Sequence, residues 1–154
     1  MSALKSIGLA LDVATARRDE AARALGQQFE RQRQAEAQLE QLQSYAEETA
    51  QRWAPGGAAR TQPSRESVIH YYQFMERLQQ TAEMQRHAIT RIARDIEAAR
   101  ALLTQADLRI ASLRHVYDLR LAERARSQAR RDQQQTDEFA ALAHRRRASA
   151  LAQD

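Results

Sequence analysis

Trp53-Ala54-Pro55-Gly56-Gly57-Ala58-Ala59-Arg60-Thr61-Gln62-Pro63 is the stretch on which the fold turns. It holds both prolines of the chain and two of its four glycines. Proline lacks a backbone donor and its ring clashes with the preceding turn, so a helix arriving from the N-terminal side stops near Trp53. The glycine pair lets the chain reverse without steric cost. Ser64 after Pro63, with Glu66 close behind, has the chemistry of an N-cap opening a second helix.

Working outward on the N-terminal side, steps of seven from Leu4 meet Leu11, Arg18, Leu25, Gln32, Leu39, Ala46 and Trp53. Three residues after each come Ile7, Ala14, Ala21, Gln28, Ala35, Leu42 and Thr49. These are the a and d positions of a heptad repeat, the pattern of a left-handed coiled coil. Arg18, Gln28 and Gln32 interrupt it with polar groups. The C-terminal side carries a cleaner ladder: Val68, Met75, Ala82, Ile89, Ile96, Leu103, Ile110 and Tyr117 at a, with Tyr71, Leu78, Gln85, Ile92, Ala99, Ala106 and Leu113 at d. Beyond Tyr117 the same line continues as Arg124, Arg131, Glu138 and Arg145.

The two ladders predict an all-α antiparallel coiled-coil hairpin in one domain. The first helix runs from about Leu4 to Trp53, a loop covers 54–63, and the second helix runs from about Ser64 to Arg147. If Trp53 sits beside about Glu66, Leu4 lands beside about His115, where the second ladder loses its apolar character. One continuous helix in a parallel dimer does not predict that match and has two prolines to accommodate. The longer second helix is then unpaired beyond about Tyr117, an overhang of about 45 Å if helical to Arg147. Isolated helices of this kind are marginal in water. A frayed tail and an arm that docks on another protein both remain open at this stage.

A fully buried Leu, Ile or Met contributes about 1.5–3 kcal/mol, whereas ordering a residue costs about 1–2 kcal/mol. Many seam positions here are Ala or Gln, so the hairpin is expected to be only modestly stable on its own.

Composition narrows the function. Without cysteine there are no disulfides, thiolate ligands or thiol nucleophiles. His70, His87, His115 and His144 are too widely spaced to bind a metal in pairs from one helix face. Gly8 and Gly26 form no phosphate-binding loop, and no nucleophile meets a base and an oxyanion site. No catalytic residue, cofactor or metal site is expected. No apolar run reaches the roughly 20 residues of a membrane span. Lys5, the Ile7–Leu11 stretch and Ala14-Thr15-Ala16 mimic a secretory signal, but Asp12 interrupts the apolar run. The first turns of an amphipathic helix account for the same residues.

The formal net charge of +4 resides in one segment. Between residues 120 and 147, Arg120, Arg124, Arg126, Arg130, Arg131 and Arg145 to Arg147 outweigh Glu123, Asp132, Asp137 and Glu138. Such a stretch attracts an acidic protein surface or nucleic acid. Nucleic acid is the weaker alternative: the basic stretch follows the heptads, whereas a basic-zipper protein places it before them.

One stretch is more specific than any periodicity. Tyr71-Tyr72-Gln73-Phe74-Met75-Glu76-Arg77-Leu78 opens the second helix, and Asp137-Glu138-Phe139-Ala140 comes late in it. With the plan of short helix, break and long helix, these pieces resemble the FliJ family of flagellar export proteins across essentially the whole chain. The resemblance implies a small cytoplasmic, non-enzymatic component of the flagellar type III export apparatus, peripherally associated with the inner membrane at the flagellar base. Its implied partners are the hexameric export ATPase, the cytoplasmic domain of the export-gate membrane protein, and export-substrate chaperones. In shape such proteins are similar to the central stalk of rotary ATPases.

The gate-contacting surface implied by the resemblance matches Phe74, Leu78, Thr81 and Gln85. The last two depart from the Ala and His usual in that family, which puts their part in doubt. The resemblance also places the end bearing both termini inside the ATPase ring, with Arg124, Arg126, Arg130 and Arg131 as the candidate electrostatic contacts. A structural spacer or chaperone with no motor coupling is the alternative from another class.

Overall fold

The computed structural model describes residues 2–54 and 64–154. The expected loop at 54–63 lies outside the described residues, except for Ala54. Two α-helices make up the fold: α1, Ala3–Trp53, and α2, Arg65–Ala152. They pack against each other as a helical hairpin whose second helix is the longer.

The helix ends have local causes. At the start of α1 the Lys5 amide donates to Ser2 Oγ at 3.3 Å, a cap that the heptad pattern does not reveal. At the start of α2 the Ser67 amide donates to Ser64 Oγ at 3.2 Å, and Glu66 complements the helix dipole in the first turn. Ser64 is therefore the N-cap of α2, as its chemistry predicts. At its far end α2 passes the expected limit at Arg147 and continues to Ala152. Ala148, Ala150 and Leu151 favour helix and no breaker intervenes.

The chain packs as two compact units, one of Arg18–Ala106 and one of Met1–Arg17 with Asp107–Asp154. In the Arg18–Ala106 unit the cross-helix pairs give direction and register. Trp53 stacks on Tyr71 (centroids 4.8 Å apart), Tyr45 meets Phe74 edge-on (5.7 Å), and Gln85 reaches Ala35. Further along, Arg31 faces Asp95 at 3.7 Å and Arg100 lies over the Phe29 ring at 5.5 Å. As the α1 number falls the α2 number rises, so the helices are antiparallel. The core of this unit is Ala35, Ile92 and Ile96, with Leu25, Phe29 and Ile89 packed against it.

In the other unit the buried residues are Ala14 and Ile110. Ile7 and Leu11, the apolar residues of the signal-like stretch, are half-buried with the rest of the seam. Every a and d position from Leu4 to Thr49 and from Val68 to Tyr117 is buried or half-buried. The seam is thin: no large side chain among the described residues is fully enclosed.

Cross-helix pairs keep the counted register at Tyr45–Phe74 but depart from it at Trp53 and at the α1 start. Trp53 stacks on Tyr71, about a turn and a half further along α2 than Glu66. The partner of the α1 start shifts in the same sense. Ser2, Ala3 and Leu4 share a surface depression with Arg120, Glu123 and Arg124 rather than with His115. The counting assumed that both helices end at one level; the aromatic stack instead sets Trp53 against the second turn of α2.

Candidate functional site

Two surfaces carry the expected contact residues, one in each unit. In the Arg18–Ala106 unit, Phe74 flanks the seam at the N-terminal end of α2 and is half-buried. Tyr45 of α1 holds it, with the two rings inclined at 80°. Tyr45 itself is 51% exposed, so the pair presents aromatic surface contributed by both helices. Close by, Trp53, Tyr71 and Tyr72 form a second aromatic group, with Tyr72 67% exposed. Exposed aromatics over a rigid seam are well suited to anchoring a protein partner, because they bring large contact area at little entropic cost.

The other residues expected on this surface are differently placed. Leu78 is half-buried and lines a groove of about 320 Å³ with Leu42, Ala46, Met75 and Ala82. Small alanines at 46 and 82 leave that groove open beside the longer side chains. Thr81 is exposed, and its hydroxyl donates to the Arg77 carbonyl at 2.8 Å, so its polar group is already satisfied within α2. Gln85 turns inward. Its Nε2 donates to the Ala35 carbonyl oxygen at 2.9 Å and to Gln38 Oε1 at 3.0 Å.

Tyr45 is the residue that reading the sequence missed. Nothing in its local pattern marks it, since Tyr45 lies at neither an a nor a d position of the first ladder. The same holds for Phe29, which packs on the core and lies beneath Arg100.

In the other unit, α2 from Asp118 onward is exposed at every residue. Alanine-rich sequence and local bonds sustain this arm as a helix. Gln128 donates to Asp132 at 3.1 Å, Gln133 to Asp137 at 3.1 Å, and the Thr136 hydroxyl to the Asp132 carbonyl at 2.9 Å. Among the described residues, Arg120–Glu123 at 3.8 Å is the arm's one ion pair. The expected contact residues Arg124, Arg126, Arg130 and Arg131 are exposed along the arm, and among the described residues none of them forms an ion pair. Phe139, 73% exposed, and Leu142 stand further along.

Among the described residues no three His, Cys, Asp or Glu side chains gather as a metal site. No helix among them is long and apolar enough to cross a membrane.

No curated protein matches this chain. Residues 5–149 match the protein family described as FliJ, flagellar FliJ protein. That match takes in both helices, the Tyr45–Phe74 surface and the arginine arm alike, and the chain belongs to the flagellar FliJ protein family.

Proposed function

We propose that this chain is a non-enzymatic, stalk-like coupler of the flagellar export apparatus. It joins the export ATPase hexamer to the cytoplasmic domain of the export gate and receives export-substrate chaperones. It works in the cytoplasm, held at the membrane-bound apparatus through its partners.

The observation that carries this reading is the arm. Every residue of α2 from Asp118 onward is exposed, and among the described residues Arg124, Arg126, Arg130 and Arg131 form no ion pair. A spacer needs a seam but has no use for such an extension, whereas an acidic channel in a ring of subunits is complementary to it. The Tyr45–Phe74 pair supports the second contact, with Phe74 as the anchor for the gate domain and Leu78 about one turn further along α2. Thr81 and Gln85 contribute less, since the Thr81 hydroxyl is bonded within α2 and the Gln85 amide is turned toward α1.

ATP hydrolysis by the purified export ATPase, measured with and without this protein, tests the reading. Coupling predicts stimulated hydrolysis that is lost when Arg124, Arg126, Arg130 and Arg131 are changed to Glu. Unchanged hydrolysis favours the motor-free spacer.

A further inference from the structure

The arm's charges follow an order that a merely cationic arm does not need. The line that forms the seam up to Tyr117 continues as Arg124, Arg131, Glu138 and Arg145 on one face of α2. Successive members are seven residues, or about 10.5 Å, apart. Arg124 and Arg131 are followed by a single reversal of sign, and then arginine returns.

Glu138 makes none of the charge pairs by which other glutamates of the chain brace their helix. A glutamate that stabilises a helix sits three or four residues before a basic side chain. The Arg18–Ala106 unit repeats that device in Glu30–Arg33, Glu83–Arg86 and Glu97–Arg100. Around Glu138 the corresponding positions are Gln134, Gln135, Ala141 and Leu142. Asp132 and Asp137 accept bonds from glutamine amides, but among the described residues Glu138 has neither a hydrogen-bond nor an ion-pair partner. It stands exposed between Asp137 and Phe139, beside an apolar pair (Phe139 and Leu142) of the kind that anchors in a protein groove.

We propose that Glu138 is the register mark of the arm. The protein surface that receives this face is acidic opposite Arg124, Arg131 and Arg145 and carries a basic side chain opposite Glu138. Only one axial position then matches all four charges, and a slip of one heptad in either direction sets like charges against each other. A phosphate backbone is negative throughout and would repel Glu138 at every position, so the pattern favours a protein over nucleic acid. The proposal rests on the reading that the arm enters the export ATPase.

Titration of the full-length protein against the ATPase hexamer, at low and at moderate salt, tests it with Glu138→Arg and Glu138→Gln. Circular dichroism checks that helicity is retained. Glu138→Arg raises the net positive charge of the arm yet is expected to weaken binding roughly five- to tenfold, with Glu138→Gln between it and the parent. Equal or tighter binding by Glu138→Arg overturns the proposal, because a uniformly acidic partner gains from the change. Stronger retardation of duplex DNA by Glu138→Arg, with ATPase binding no weaker, overturns it in favour of nucleic acid. If reversing Arg124 and Arg131 leaves ATPase binding intact, the arm reading itself fails. If those reversals weaken binding and Glu138→Arg does not, only the register mark is lost.

Discussion

Gln85 Nε2 donates to the carbonyl oxygen of Ala35 on the opposing helix at 2.9 Å, in the cleaner of the two heptad ladders. The same amide reaches Gln38 Oε1 at 3.0 Å, so one polar d residue on α2 binds two groups of α1. A polar side chain within a coiled-coil seam contributes to register at some cost in packing. Gln85→Ala should lower stability by about 1–2 kcal/mol, the net worth of two such bonds. Chemical unfolding followed by circular dichroism reads this, and an unchanged midpoint removes the assigned role. Because the amide is engaged within the hairpin, Gln85→Leu is expected to leave gate-domain affinity within about twofold of the parent.

Tyr45 and Phe74 form the aromatic surface together, so they are expected to fail together. Phe74→Ala should weaken binding to the gate's cytoplasmic domain by tenfold or more, as loss of an interface anchor does, with helicity intact. Tyr45→Ala removes an edge-to-face partner worth about 0.5–1.5 kcal/mol and should weaken binding about threefold to tenfold. Tyr45→Phe keeps the ring and should bind as the parent does. Calorimetry on the three variants decides, and full affinity in Phe74→Ala refutes the anchor.

Both ladders were legible in the sequence because a heptad stripe records which side of a helix is buried. Each a and d residue named from Leu4 to Thr49, and from Val68 to Tyr117, lies at or near the seam. Axial alignment is not recorded in a stripe. Sliding one helix by a turn or so leaves the faces matched, and only side chains such as Trp53 and Tyr71 select the level at which the helices lock. That is why Trp53 meets Tyr71 rather than Glu66. The cap at Ser2 escaped notice for another reason, since a lone serine near a terminus has many local uses. Of the candidate contacts, the arginines were visible as a charge run, whereas the inward turn of Gln85 depended on what α1 placed opposite it.

Gly26 gives a test of helix energetics independent of any partner. A Cβ built there meets no atom within 4 Å, and the residue lies inside α1. Gly26→Ala should therefore stabilise the protein by about 0.5–1 kcal/mol. A thermal midpoint that falls instead of rising would mean that α1 is bent or differently packed at this position.

The arm predicts a salt signature. Changing Arg124, Arg126, Arg130 and Arg131 to Glu should lower affinity for the export ATPase and flatten its dependence on ionic strength, because exposed charges are screened within about 8–10 Å at physiological salt. Fluorescence anisotropy across a salt series measures both quantities. Parent and variant curves that coincide at all salt concentrations argue against electrostatic docking.

Under the proposed function, a single hairpin engages ATPase and gate together. The gate's cytoplasmic domain, fixed to a sensor surface, should retain the export ATPase when this protein is present, retain much less in its absence, and lose the gain with Phe74→Ala. ATPase retention that is the same with and without the protein contradicts the coupler account.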